Sequence, residues 1–347
     1  MTRPHSDQVS APPVAVIVLN WNAWADTLEC VESLLRMTYP CFEVILCDNA
    51  STDSSLERFA EWAAGDMSIV PASPAMAQFV LPPVEKPLTL TSEDDAARQA
   101  VMHRGVTLIR NHSNLGYAAG NNAGLRHAQA RQFEYFWVLN ADTVVEPGAL
   151  DHFVARARDN TGAGLFGSLL CYYDAPQVLQ EAGGCRMIPL TPLSRRLAPD
   201  ANRNASQDWR KIEASMDYVS GASCFTTRDF LDRVGLMSED YFLYCEEIDW
   251  ATRAKGQFDL ALVEECVVYH KKGLSTGSKG IGRSRSIGST YYLWRARRRF
   301  CQRYNRVALL PCIALGIVAA LALLIRGDRP RAAAILDGIF DRPRDSS

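Results

Sequence analysis

Residues 14–51 read VAVIVLNWNAWADTLECVESLLRMTYPCFEVILCDNAS, and this stretch decides the fold. Residues 14–19 are a continuous apolar run rich in β-branched side chains, and residues 42–47 are another. Short uninterrupted apolar runs of this kind suit strands buried on both faces. Between them Leu28, Val31, Leu34 and Leu35 recur at helical spacing, which marks a helix with one apolar face. The three pieces form a β-α-β unit, whose two strands must run parallel. Parallel strands bring their C-terminal ends to one edge, and open α/β sheets bind ligands there. The polar residues at those ends are therefore candidates for contact with a bound small molecule: Asn20 and Asn22 after the first strand, and Asp48, Asn49 and Ser51 after the second.

Outward from this unit, residues 54–63 read as a helix, and residues 106–110 and 135–139 as short strands flanking a helix over 118–131. Residues 66–104, proline-rich and then acidic, exceed an ordinary connection and are expected to be a surface insertion. Pro147 suits the first turn of a helix ending near Arg158, and strands are expected around 164–173. Residues 183–216, rich in Arg, Pro and Asn, read as an irregular loop. A strand over 217–219, a helix over 228–234 and an acidic segment at 244–250 follow. Strands and helices alternating in this way specify an α/β architecture.

The chain has 347 residues, 48% hydrophobic and 22% charged, enough for a substantial core. Its formal net charge of -2 gives no overall attraction to nucleic acid, which is not expected as a partner. Ten cysteines occur singly, without CxxC pairs, and read as buried thiols in a reducing compartment. Residues 1–13 are polar, lack the pattern of a signal peptide and are expected to be disordered, so a cytoplasmic protein is expected. Near the other end, Arg295, Arg297, Arg298, Arg299, Arg303 and Arg306 precede the uncharged apolar residues 307–325, and Arg326, Arg329 and Arg331 follow. That stretch lies near the membrane-crossing length of about 20 residues, and Pro311 and Gly316 interrupt it. It is open to three readings: a span, a helix lying in an anionic leaflet, or a buried helix or dimer contact.

Several residues carry candidate chemistry. Asp142, in LNAD at the end of a buried strand, could hold Mg²⁺ or Mn²⁺ against a diphosphate, or could cap the next helix. Asp48 could accept the imino N–H of uracil or thymine, or could serve a local turn. In residues 111–124, NHSNLGYAAGNNAG, the glycines Gly116, Gly120 and Gly124 stand at the mouth of a helix with Asn114, Asn121 and Asn122. Backbone there could approach a phosphate or sugar, or the glycines could serve tight packing. In residues 241–250, YFLYCEEIDW, Glu246 and Asp249 share one helical face while Glu247 points elsewhere. One carboxylate could act as a base toward a sugar hydroxyl, and Asp249 could simply pair with Arg253. His270 could contact a metal or a diphosphate or be structural, and Lys271, Lys272 and Ser275 could make a phosphate-facing loop.

In order, the segments VIVLNWN, CDNASTDSS, NLGYAAGNNAG, LNAD, VSGASCF, YFLYCEEIDW and HKKGLST resemble successive signatures of the family 2 glycosyltransferases of bacteria, particularly the rhamnosyltransferase-like branch. The likeness runs from Val14 to about Arg299. It implies a GT-A fold, a Rossmann-like mixed sheet flanked by helices, to which the apolar residues 307–325 are expected to add a C-terminal apolar helical tail. It implies a nucleotide-sugar donor such as dTDP-rhamnose or a UDP-sugar, a glycan or lipid-linked acceptor, a divalent cation (Mg²⁺ or Mn²⁺), and inversion by direct displacement. Asn140 and Asp142 match the family's DxD position, with Asp142 left as principal metal ligand and His270 beside it. Glu247 falls where the family has the Asp of a Glu-Asp pair that acts as base, with Glu246 in reserve. The implied organisation is a GT-A domain over 14–294, with a nucleotide-sugar-binding half over 14–145 and an acceptor-binding half over 146–294. Residues 295–347 then form a membrane-associating tail, with peripheral contact through 295–331 at the inner face of the cell membrane. Two other functions share this architecture: nucleotidyl transfer, and a catalytically dead glycan-binding scaffold. The first would favour a Lys- and Gly-bearing loop after the first strand, and NWNAWADT has neither residue.

Overall fold

The computed structural model describes residues 11–96, 104–271 and 285–344. The N-terminal β-α-β unit is β1 (Val14–Asn20), α1 (Trp24–Leu35) and β2 (Phe42–Asp48), and β1 and β2 pair in parallel. After α2 (Ser55–Ala64) come α3 (Ala77–Val80), β3 (Leu90–Ser92) and α4 (Glu93–Ala96). Then follow β4 (Gly105–Arg110), α5 (Gly116–Gln129), β5 (Tyr135–Asn140), β6 (Thr143–Val145), α6 (Ala149–Asp159) and β7 (Ala163–Tyr172). Next are β8 (Ala175–Ala182), β9 (Gly184–Met187), β10 (Ser194–Arg196), α7 (Trp209–Glu213), β11 (Tyr218–Val219) and β12 (Ser223–Thr227). The last elements are α8 (Arg228–Val234), α9 (Glu246–Ala254), β13 (Asp259–His270), α10 (Ile287–Tyr304), α11 (Leu309–Ile325) and α12 (Arg329–Ile339).

The main sheet has the order β3-β4-β2-β1-β5-β12-β7-β13-β6, with β8 paired to β7. Strands β3, β4, β2, β1 and β5 are parallel neighbours, and β12 runs antiparallel to both β5 and β7. Two reversals restore the direction, so β7 and its parallel partner β13 end on the same edge as β1, β2 and β5. The short β6 runs back along β13 and sets Thr143 opposite His270. Topology alone therefore brings the ends of β1, β2, β5 and β13 together.

Two expectations change here. Residues 66–104 are not a mere surface insertion, because β3 extends the main sheet, and Met76 and Val80 are buried. Glu32 of α1, buried, accepts hydrogen bonds from Trp62 Nε1 (2.7 Å), Val84 N (2.9 Å) and Lys86 Nζ (2.8 Å), which fastens this segment to the core. Pro and acidic residues hide this from hydrophobic periodicity. Residues 183–216 are not irregular either: β9, β10 and β11 form a small second sheet, and α7 follows β10. The strands are two to four residues long, too short to show alternation.

Helix α5 crosses the sheet at close range. A Cβ on Gly124 would come within 2.8 Å of Cys47 Sγ and Ile17 Cγ2, and one on Gly120 within 2.7 Å of Leu19 Cδ1. These two glycines serve helix-on-sheet packing. Gly124→Val is expected to lower stability by about 1–3 kcal/mol through overpacking, measured by chemical denaturation. Gly288→Ala, where open space surrounds the position, is expected to cause no loss.

Candidate active site

A pocket opens at the shared strand edge. Its walls are Leu19 and Trp21 from the end of β1, Asn114, Gly116 and Tyr117 from the turn into α5, Asn140, Ala141 and Asp142 after β5, and Phe242 and Leu243 before α9. Trp21, 41% exposed, presents an open aromatic face there.

Asp142 and His270 meet at this edge, with Asp142 Oδ1 3.2 Å from His270 Nε2. The ladder holds them there, since Lys271 N donates to Asp142 O (2.9 Å) and Thr143 Oγ1 donates to Asn140 O (2.8 Å). Gln180 of β8 sits 3.0 Å from His270 Nδ1, and its Oε1 can only accept, so Nδ1 carries the proton. Nε2 is then the ring nitrogen left to meet Asp142. Asp142 Oδ2 and His270 Nε2 are buried without a hydrogen-bond partner. Burial pushes the Asp142 carboxyl up, but the His270 ring outweighs it, and the group stands below its ordinary value.

The unpartnered Asp142 Oδ2 and His270 Nε2 fit a cation held between protein and ligand, with the second ring nitrogen fixed by a hydrogen bond. The charge around them agrees: Lys271 Nζ contacts both Asp26 (2.5 Å) and Glu29 (2.5 Å) of α1, so its charge is spent on carboxylates. With Asp142 the cluster keeps an excess of negative charge. Among the described residues no group of three or more His, Cys, Asp or Glu could hold a metal, so further ligands would be phosphate oxygens and water, as a hard divalent ion prefers. Lys272 and Ser275 lie outside the described residues.

The residues at the ends of β1 and β2 mostly hold each other. Asp48 is buried; its Oδ1 accepts from Asn20 Nδ2 (2.8 Å) and Ser51 Oγ (2.6 Å), and its Oδ2 from Ser51 N (3.1 Å). Asn20 Oδ1 accepts from Thr27. Asn22 Oδ1 accepts from Thr52 N and Asp53 N. Of the two readings of Asp48, the geometry matches the local turn. Asn49 lines the pocket and uses its whole amide on the next loop: its Nδ2 donates to Asn114 Oδ1 and Gly116 O, and its Oδ1 accepts from Asn111 Nδ2 and Leu115 N. Gly116 has φ +82, and any Cβ there would overlap the Phe242 carbonyl, which accepts from Tyr117 N (2.7 Å). Asn121 is buried on α5 and, like Gly120, stands behind the pocket wall. Its Nδ2 donates to Tyr117 O.

Tyr117 links this wall to the acidic helix. Its hydroxyl donates to Gly221 O (2.6 Å), and Glu247 lays its carboxylate against Gly221, where any Cβ would overlap it. Asn140 N donates to Ala222 O (3.0 Å), so the same loop borders the turn that carries Asp142. Glu246 is 1% exposed with Oε1 unpartnered, and burial, then Glu247, push its pKa well above the carboxylate range. Glu247 is partly exposed, and desolvation, with Glu181 adding, raises it to about 7. Asp249 pairs with Arg253 (2.7 Å) and is structural.

Sequence reading missed Gln180, Asp26, Glu181, Tyr117 and Gly221. Asp26, Tyr117 and Gly221 sat inside quoted motifs without a role. Gln180 and Glu181 lie on β8, a strand with no clear alternation.

Residues 15–70 and 91–205 match the sequence profile described as Glycosyl transferase family 2. The chain is 26% identical over 216 residues to an N-acetylglucosaminyl-diphospho-decaprenol L-rhamnosyltransferase of Mycobacterium tuberculosis, a match covering 56% of this chain and 69% of the relative. The mannosyltransferase PcManGT of Pyrobaculum calidifontis, solved with GDP-Man and Mn²⁺, superposes with a TM-score of 0.51 at 15% identity over 96% of this chain and 88% of that one. GalNAc-T7, solved with UDP, GalNAc and Mn²⁺, reaches 0.54 at 15% identity over 83% and 48%. These likenesses show the GT-A fold.

The raised pKa of Glu247 has a stability consequence. Between its ordinary value of 4.5 and about 7, the folded chain keeps a proton that the unfolded chain has lost, so stability falls as pH rises through that window. Glu247→Gln removes this penalty. It is expected to stabilise the protein by about 1–3 kcal/mol at pH 8 and by little near pH 4, measured by denaturation at both values.

Proposed function

Because this chain belongs to glycosyl transferase family 2, we propose that it transfers a hexose, in first place rhamnose, from a dTDP- or UDP-sugar to a lipid-linked glycan acceptor at the cytoplasmic face of the membrane, in cell-envelope polysaccharide synthesis. The rhamnosyltransferase relative, named for a diphospho-decaprenol acceptor, supports the sugar and the acceptor class. The observation that carries the reading is the pair Asp142 and His270, 3.2 Å apart and each with a buried unpartnered atom, with Asp142 on the pocket wall. A divalent cation, Mg²⁺ or Mn²⁺, held by that pair would neutralise the leaving diphosphate.

The chain's own residues then divide the remaining tasks. Gln180 keeps His270 in the tautomer with Nε2 free. The turn pinned by Asn49 offers Asn114 and Gly116 to the donor, and Trp21 offers a ring face to its base. Glu247 takes the proton of the acceptor hydroxyl as its oxygen attacks the anomeric carbon, while the bond from that carbon to the diphosphate breaks on the opposite side. A carboxylate with a pKa of about 7 suits a base at neutral pH. Glu246, held protonated by burial, does not compete for that proton. On this reading residues 14–145 bind the donor and residues 146–294 shape the acceptor side.

Steady-state transfer assays test the assignment. Asp142→Asn is expected to lower kcat by about 10²–10³-fold or more with an unchanged fold, and Glu247→Gln by about 10²–10⁴-fold. The wild-type kcat/KM is expected to rise with pH through a limb near 7 that Glu247→Gln loses. Full activity in Asp142→Asn would refute the metal assignment, and an unchanged pH limb in Glu247→Gln would refute the base. In a thermal-shift panel with Mn²⁺, dTDP-rhamnose or a UDP-sugar is expected to stabilise most; stabilisation by a purine nucleotide sugar alone would overturn the donor class.

A further inference from the structure

We infer that α11 lies in the plane of an anionic lipid bilayer, its outer face in the lipid and both its ends on one side. This contact does not depend on which sugar is transferred. Residues Arg306–Ile325 are long and apolar enough to cross a membrane, with a mean hydropathy of 2.8, yet only 22% of the window is buried against protein. The exposed large apolar side chains Leu310, Ile317, Val318, Leu321, Leu324 and Ile325, with Val307 just before α11, lie on one side of the helix, with exposures from 38% to 87%. Such a contiguous apolar face is uncommon on a soluble monomer.

The opposite stripe, Cys312, Gly316 and Ala320, is buried. It seats α11 on α10 and α12, and Trp294, Ala320, Ala332, Ile335 and Ile339 share one apolar cluster. Gly316, at the middle of α11, touches Ile339 and Trp294. One step further, Gly338 of α12 lies against the backbone of α10 at Tyr291 and Arg295. Arg295, Arg298 and Arg299 of α10 all pair with Asp341 just after α12, and Arg344 pairs with Asp337.

A crossing α11 would carry this charged cluster to mid-membrane, where ionised side chains are expensive. An in-plane helix keeps the cluster in water and puts only the apolar stripe into lipid. The charge at its ends selects the occupant. Among the described residues Arg306, Arg326 and Arg329 are exposed and make no ion pair, which suits anionic headgroups and not a second copy bearing the same arginines.

Flotation of the full chain with preformed phosphatidylcholine vesicles, with and without phosphatidylglycerol, tests this. The wild type is expected to float with the anionic vesicles, less so at high salt. Leu321→Asp and Ile325→Asp are each expected to weaken partitioning on the order of tenfold, with circular dichroism unchanged. Arg306→Cys and Arg329→Cys, at opposite ends of α11, are both expected to react with an impermeant thiol reagent added outside the vesicles, above the wild-type background. Reaction at one end only would mark a span and overturn the inference. So would failure of the wild type to float, wild-type flotation of the two Asp variants, or a lipid-free dimer that the same variants dissociate.

Discussion

The pocket edge depends on one constraint: Asp142 and His270 must arrive together, 3.2 Å apart, with Asp142 Oδ2 and His270 Nε2 buried and unpartnered. Buried polar atoms left without a partner are unfavourable in an apolar interior. The sheet accepts this cost because its topology leaves little choice. Strand β13 is twelve residues long and runs parallel to β7, so His270 reaches the same edge as the end of β5. Strand β6 then folds back along β13 directly after Asp142 and ties the two chain ends by register. Gln180, from β8 on the neighbouring strand β7, completes the arrangement by claiming Nδ1.

The second half of the site hangs on the first through backbone contacts. Tyr117 N holds the Phe242 carbonyl, for which Gly116 leaves room, Tyr117 Oη holds the Gly221 carbonyl, and Asn140 N holds the Ala222 carbonyl. The loop bearing Gly221 is thereby fixed between the Asp142 turn and the carboxylate of Glu247. Placing two glutamates in sequence at a desolvated helix start is costly to folding, and the raised pKa values of both express that cost. Sites that need a base near neutral pH are where such destabilised pairs are found.

The sequence made the frame legible where burial is continuous. The β-α-β unit, the strands at 106–110 and 135–139, and the helix opening at Gly116 followed from apolar runs and glycine placement. Legibility failed where short strands and cross-chain hydrogen bonds decide. Strand β3 extends the sheet within a Pro-rich and acidic segment because Glu32 anchors that segment from another element, which no local pattern records. At the site, Asp142 was readable as a strand-end carboxylate. Its pairing with Gln180 through His270 was not, since it joins positions 142, 180 and 270 through sheet order alone. Asp48 had two sequence readings, base contact or local turn, and its bonds to Asn20 and Ser51 accord with the turn.

Electron paramagnetic resonance titration of Mn²⁺ in the presence of dTDP or UDP tests the central claim most directly, because it reads the ion and not the reaction. The wild type is expected to take up Mn²⁺ stoichiometrically with the nucleotide, His270→Ala to bind it more weakly, and Asp142→Asn to leave it free while remaining folded. Equal Mn²⁺ uptake by the wild type and Asp142→Asn would contradict the assignment of the facing pair as the cation site.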